Sequence, residues 1–166
     1  MILKGKAWKF GDSISTDHIT PGRYFHLRTN LPELAKHVLE DADPDFAKKF
    51  SKGDFVVAGL NFGLGSSREH APQIIKISGL NAVLAKSFAR IFFRNAINIG
   101  LLVLECDTDK IKQRDEIEIN LEKGIIKNLT QKTEIVFKPL PKVMVTILKD
   151  KGLVNHIKKH NGFNLT

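Results

Sequence analysis

The chain is poor in the residues that carry redox and metal chemistry. Cys106 is the single cysteine in 166 residues. That excludes an internal disulfide and any cysteine cage built from this chain alone. At the end of Leu101-Leu102-Val103-Leu104-Glu105 it reads as a buried strand thiol. Tyr24 is the only tyrosine and Trp8 the only tryptophan. Without an aromatic-interleaved basic stripe there is no surface on which bases would stack, so a nucleic-acid partner is not expected. No apolar run approaches the roughly 18–20 residues of a membrane span. The apolar part of Met1-Ile2-Leu3 is too short for a secretory signal. The expectation is a cytoplasmic protein with neither nucleic acid nor membrane as partner.

What is present is ordinary for a globular chain: 42% hydrophobic and 27% charged residues. The length predicts one domain, residues 1–166. The formal charge of +8 leaves acidic metabolites or an acidic partner as candidates. The eleven phenylalanines sit mostly in apolar runs, which suits core packing. Lys149, Lys151, Lys158 and Lys159 read as a solvated helix face.

Residues 1–10 predict a strand carrying Ile2, Trp8 and Phe10. A long polar loop follows from Gly11 to Asn30, and long ordered loops are often functional. Asn30 is placed to cap a helix, with Glu33 three residues on. Leu31, Leu34, Ala35, Val38 and Leu39 then share a helical stripe. Phe55–Phe62 and Ala82–Phe88 are continuous apolar runs, the pattern of strands covered on both faces. A helix between them, led by Ser66 and Ser67 and stopped by Gly79, makes a βαβ-like unit. Residues 88–99 predict a helix and Leu101–Cys106 a strand. Glu116–Leu121 alternates with period two, Lys123-Gly124 supplies a turn, and Ile125-Ile126 begins a return strand. Thr133–Phe137 is a further strand. Residues 141–151, closed by Gly152, predict a last helix. The fold class is α/β, a mixed sheet core with an antiparallel β section.

Gly63-Leu64-Gly65-Ser66-Ser67-Arg68-Glu69-His70 is the richest segment. A strand, a glycine turn and a helix start expose free N–H groups and a positive dipole, which together favour an anion. Arg68 adds a planar fork for a carboxylate. Serine is also a favoured N-cap, and that reading needs no chemistry. The segment has no Gly-Lys-Ser/Thr for a nucleotide phosphate and no third glycine of a dinucleotide fingerprint. Arg68 and Glu69 stand where a Gly-x-Ser-x-Gly elbow needs its last glycine. A second polar cluster, Asp12 to Thr20, reads equally as Asx and Ser/Thr turns. Arg28 lies downstream of it. Two arginines meeting at one pocket would suit a substrate with several carboxylates.

Three strings carry a family resemblance: Ser15-Thr16-Asp17-His18-Ile19, Asn61 to Ala71, and Lys86-Ser87-Phe88-Ala89-Arg90-Ile91-Phe92-Phe93-Arg94-Asn95-Ala96-Ile97-Asn98. In this order they resemble the aconitase superfamily, specifically the small subunits of 3-isopropylmalate dehydratase and homoaconitase. The match runs over roughly residues 1–106 and continues weakly to Gly152. The resemblance implies a swivelling β/β/α domain. It implies a separate large subunit that carries a four-iron, four-sulfur cluster, with no metal bound by this chain; one cysteine agrees with that division. It places Ser66 as the general base and Ser67 and Arg68 on a substrate carboxylate. Thr16, Asp17 and Thr20 fall on the loop that supports substrate and base, and Arg28 aligns with a loop arginine for a further carboxylate. Glu69 and His70 become supporting residues, and Arg90 and Arg94 structural or interface residues. The implied reaction is reversible dehydration and rehydration of a hydroxy acid, active only as a heterodimer or higher assembly.

Relatives of this size most often serve leucine biosynthesis, which puts isopropylmalate first as substrate. Arg28 in the specificity loop favours the alternative, a tricarboxylate as in homoaconitase or aconitase, because a buried extra carboxylate needs a cation. A non-catalytic module that binds an anion without an iron–sulfur partner is a third reading. Co-purification with a cysteine-containing large chain would count against it.

Overall fold

Strand β1 (Ile2–Lys9) is shared between two kinds of pairing. Its second half runs parallel to β2 (Phe55–Val57), and its first half antiparallel to β5 (Glu116–Asn120). On one side β2 is followed by β3 (Ala82–Ala85) and β4 (Leu102–Glu105), all parallel. On the other, β5 is followed by β6 (Ile125–Asn128) and β7 (Thr133–Val136), all antiparallel. The computed structural model describes residues 1–163. Among them the sheet order is β4-β3-β2-β1-β5-β6-β7. The expected mixed α/β architecture is therefore present.

Helices α1 (Thr16–Ile19), α2 (Leu31–Ala35) and α3 (Phe46–Lys49) lie between β1 and β2. Helix α4 (His70–Ile77) connects β2 to β3, and α5 (Arg90–Ile99) connects β3 to β4. Helices α6 (Lys142–Lys149) and α7 (Leu153–His160) close the chain. These helices cover one face of the parallel strands, where Val56, Val83 and Val103 point. The alternate residues Phe55, Val57, Leu84 and Leu104 point the other way, onto Ile117, Ile119, Ile126 and Ile135 of the antiparallel strands. Burial on both faces is why β2, β3 and β4 read as unbroken apolar runs.

Some boundaries differ from the sequence expectation. The strands expected at Phe55–Phe62 and Ala82–Phe88 stop at Val57 and Ala85, and a lone bridge between Phe62 and Phe88 follows. The helix expected to start at the serines starts at His70, with Glu69 in the cap position and no side-chain cap. Pro72 explains this. In the first turn its missing N–H costs nothing; three residues deeper it would delete a helical hydrogen bond and clash with the preceding turn. The stripe expected through Leu39 is helical only to Ala35, although Val38 and Leu39 remain buried in turns. The long polar loop is not structureless: it holds α1 and a 3₁₀ turn at Gly22–Leu27.

Helix α7 carries Lys158 and Lys159, expected on a solvated helix face, although Gly152 was expected to close the last helix. It is held by Asp150, whose buried carboxylate accepts hydrogen bonds from Lys159 (2.6 Å), His156 Nδ1 (2.8 Å) and His160 Nε2 (2.9 Å). Lys159 and His156 hold the Asp150 carboxyl well below its ordinary range. Cys106 follows β4 and is partly buried, and burial pushes its thiol up to about 12.

Candidate functional site

Parallel strands bring their C-terminal ends to one edge, and the segments leaving them meet there. Three such segments converge: 10–20 after β1, 58–69 after β2 and 86–90 after β3. Single backbone rungs tie them together. Gly63 N–H donates to Ile14 (2.7 Å), Thr16 N–H to Leu64 (2.9 Å), Phe62 N–H to Ser87 (3.0 Å) and Ala89 N–H to Phe62 (2.9 Å).

Gly63 is fixed by two demands. Its φ is +83°, and a Cβ there would sit 2.2 Å from the Phe92 ring. The close approach lets the start of α5 pack directly against the serine loop. A cavity of about 220 Å³ opens at this contact. Ser66, Ser67, Arg68 and Thr16 line it from one side, and Arg90, Ile91 and Asn95 from the other.

The expected anion dipole therefore comes from a different helix. The first turn of α4 begins four residues after Ser66, whereas the first turn of α5 lines the cavity itself. Ala89 in the cap position has no side-chain oxygen to offer, so the leading N–H groups of α5 are left without a side-chain cap.

The one-turn helix α1 braces the serine loop from below. Ser15 caps it in a reciprocal box: Ser15 Oγ accepts from His18 N–H (3.2 Å) and His18 Nδ1 accepts from Ser15 N–H (2.9 Å). Thr16 Oγ1 donates to the Ser66 carbonyl (2.9 Å), and Thr20 Oγ1 donates to the Thr16 carbonyl (2.8 Å). Both threonines are buried, so their hydroxyl protons are spent on backbone. Arg68 donates through Nη1 to the Thr20 carbonyl (3.0 Å), and its Nη2 pairs with Asp17 Oδ1 (2.5 Å). Ser66 and Ser67 are exposed, and among the described residues no hydrogen bond is made by either side chain.

The structure thus brings Ser66, Ser67, Arg68 and Thr16 into one cavity. Asp17 and Thr20 reach it through Arg68. Arg28 stands apart from the lining: it is exposed, lies 4.3 Å over the Phe25 ring and donates to the Phe25 carbonyl (3.2 Å). It still borders the site electrostatically. Burial first, then the charges of Arg68 and Arg28, hold His70 below its ordinary pKa. Glu69 is exposed. Arg90 and Asn95 were missed as cavity residues. The available signal was a helix that follows a parallel strand with no capping side chain at its start.

The Aconitase C-terminal domain family matches residues 15–109. A relative called 3-isopropylmalate dehydratase small subunit 2, from Archaeoglobus fulgidus, is 64% identical over 165 residues, covering 99% of this chain and 100% of the relative. A 3-isopropylmalate dehydratase small subunit 1 from Thermotoga maritima is 64% identical over 163 residues, 98% of each chain. A crystal structure described as 3-isopropylmalate dehydratase from Methanocaldococcus jannaschii superposes with a TM-score of 0.94 at 48% identity, covering 97% of this chain and 96% of that one.

Proposed function

Because this chain belongs to the 3-isopropylmalate dehydratase small-subunit family, within the aconitase superfamily, we propose that its Ser66 cavity is the proton-abstracting half of a two-chain active site. The family is a hydro-lyase family of leucine biosynthesis, and a small subunit works beside a large one. Its reaction interconverts 2-isopropylmalate and 3-isopropylmalate through loss and return of water. The whole chain acts in this reading as one swivelling unit in the cytoplasm.

The single observation behind the proposal is the cavity that Ser66 shares with Arg68 and the first turn of α5. A serine hydroxyl is a weak base and needs a field that favours its anion. The α5 dipole, its uncapped N–H groups and the Arg68 guanidinium supply one in fixed positions. Ser66 Oγ then takes the proton from the carbon next to the departing hydroxyl. Ser67 and Arg68 hold a carboxylate. The Asp17 carboxylate occupies part of the Arg68 fork, so the substrate competes with it for those donors. Thr16 and Thr20 fix the loop and Arg68 rather than touch the substrate through their protons.

An enzyme of the aconitase family contains an iron–sulfur cluster. The residues of this chain do not fit one: the sequence has a single cysteine, and its thiol is held up to about 12. We assign the cluster, as four iron and four sulfur, to the large subunit, and with it activation of the departing hydroxyl. Phe25, Leu60 and Ile91 stand half-exposed at the same edge of the sheet, apolar area suited to a covering chain.

Isopropylmalate is the preferred substrate in this proposal, because Arg28 lies outside the cavity lining. The second reading, a tricarboxylate, rests on the charge that Arg28 and Arg68 both exert on His70. The test is co-expression with the cognate large subunit, anaerobic cluster reconstitution, and comparison of isopropylmaleate, citraconate, cis-aconitate and cis-homoaconitate hydration. Isopropylmaleate should be the best substrate, and Arg28→Ala should leave its kcat/KM within about threefold. A tricarboxylate preference that Arg28→Ala abolishes would establish the second reading.

A further inference from the structure

Helix α5 has a second cavity on its other flank, of about 500 Å³, within the size range of small-molecule sites. Phe93, Leu140 and Met144 supply apolar wall. Arg90 and Arg94 supply positive charge, and Arg90 also lines the Ser66 cavity, so one side chain borders both spaces. Lys138 and Glu105 complete the rim but neutralise each other at 2.9 Å. Neither Arg90 nor Arg94 has an ion-pair partner among the described residues. They stand four residues apart on one helix, where like charges repel. Two unneutralised guanidinium groups beside an apolar wall match a ligand with a carboxylate at one end and hydrocarbon at the other.

We propose that this cavity binds an aliphatic carboxylate. Its carboxyl group lies between Arg90 and Arg94 and its tail against Phe93, Leu140 and Met144. Occupation draws Arg90 away from the Ser66 cavity, so the ligand opposes substrate binding. The binding itself is independent of the dehydratase reading; the opposition to substrate rests on it.

The chain carries its own reporters. It has two methionines: Met144 lines this cavity, and Met1 lines a neighbouring one by β5 and β6, on the far side of Pro139 and Leu140, which border both. The full chain labelled with ¹³C-methyl methionine is titrated with 4-methylpentanoate and followed by NMR. The Met144 methyl resonance should move saturably and by several times more than that of Met1. Arg94→Gln should weaken binding at least tenfold. Acetate, which lacks the tail, and 4-methylpentanol, which lacks the charge, should each bind at least tenfold more weakly. In the reconstituted two-chain enzyme, 4-methylpentanoate should raise KM for isopropylmaleate without lowering kcat. Arg94→Gln should keep the uninhibited rate and lose the inhibition. A linear drift of Met144, equal movement of both methyls, or equal binding of the alcohol would overturn the site. Saturable binding without inhibition of an active enzyme would overturn the shared role of Arg90. A reconstituted enzyme with no dehydratase activity would count against the proposed function, and the NMR titration would then decide the site alone.

Discussion

Strands β2 to β4 are buried on both faces, whereas β5 to β7 bury only one, and the chemistry-bearing residues gather on the doubly buried side. In the antiparallel strands Ile117, Ile119, Ile126 and Ile135 point inward, while Glu116, Lys127 and Glu134 face solvent. Polar groups are carried along the strand itself. The main buried polar node there is Asp115, which accepts from Lys112 N–H (2.8 Å), Asn128 (2.6 Å) and Gln131 (2.5 Å) and serves only to pin turns. In the parallel strands no face is open to carry polar groups. They are displaced to the segments that leave the strand ends, and because β1, β2 and β3 run the same way, those segments converge. Double burial gathers polar side chains at one edge, while single burial spreads them along the strands.

The comparison breaks if the antiparallel half proves catalytic or the parallel edge proves merely structural. Ile119→Ala probes the first. Ile119 is wholly buried, and its truncation should cost about 2–5 kcal/mol of stability, read by denaturant unfolding. The kcat of the remaining folded enzyme should stay at the parent value; a proportionate fall in kcat would erase the distinction. Gly63→Ala probes the second. The added methyl meets the Phe92 ring in a backbone conformation that disfavours it, so about 2–4 kcal/mol of overpacking and strain is expected. Gly65→Ala, also at positive φ but with its nearest neighbour 3.5 Å away, should cost only about 1 kcal/mol. Similar melting temperatures for the two variants would contradict the packing argument.

Arg68→Gln sharpens the account of the edge. Losing a charged fork on a carboxylate should raise KM roughly ten- to a hundredfold, about 1.5–3 kcal/mol. An unchanged KM would place the substrate elsewhere. The smallest effect concerns the C-terminal helices, which touch neither question directly. The Asp150 carboxyl is held below its unfolded value of 3.8 by Lys159 and His156. Its stabilising contribution is therefore present above about pH 4 and is lost as pH falls through the lower, folded value. Asp150→Asn should flatten the acid limb of a melting-temperature profile, and an identical acid limb would show that the carboxylate holds nothing.

The sequence made the periodic parts legible. Alternation in Glu116–Asn120 and the apolar runs at Ala82–Ala85 and Leu102–Glu105 are strands, and Asn30 does cap α2 by accepting from Glu33 N–H at 3.5 Å. The serine–arginine string lies in a segment that leaves a parallel strand, and its two serines and arginine line one cavity there. What the sequence hid was non-local. Ser66 and Ser67 look like caps of the next helix, because cap chemistry and active-site chemistry use the same residues; only the place of Pro72 in the first turn of α4 separates them. Arg90 and Asn95 join the cavity through the approach of Phe92 to Gly63, a contact between residues 29 apart. Gly152 reads as a helix stop, but α6 is already capped by Asp150, and Gly152 stands in the N-cap position of α7.

Ser66→Ala, measured in the cluster-reconstituted two-chain enzyme, tests the central claim most directly. The account predicts a fall of about a thousandfold or more in kcat, with KM for isopropylmaleate within a few-fold and an unchanged cluster absorption spectrum. A variant that keeps a kcat near the parent value would contradict it, because the edge built by the parallel strands would then hold substrate without abstracting its proton.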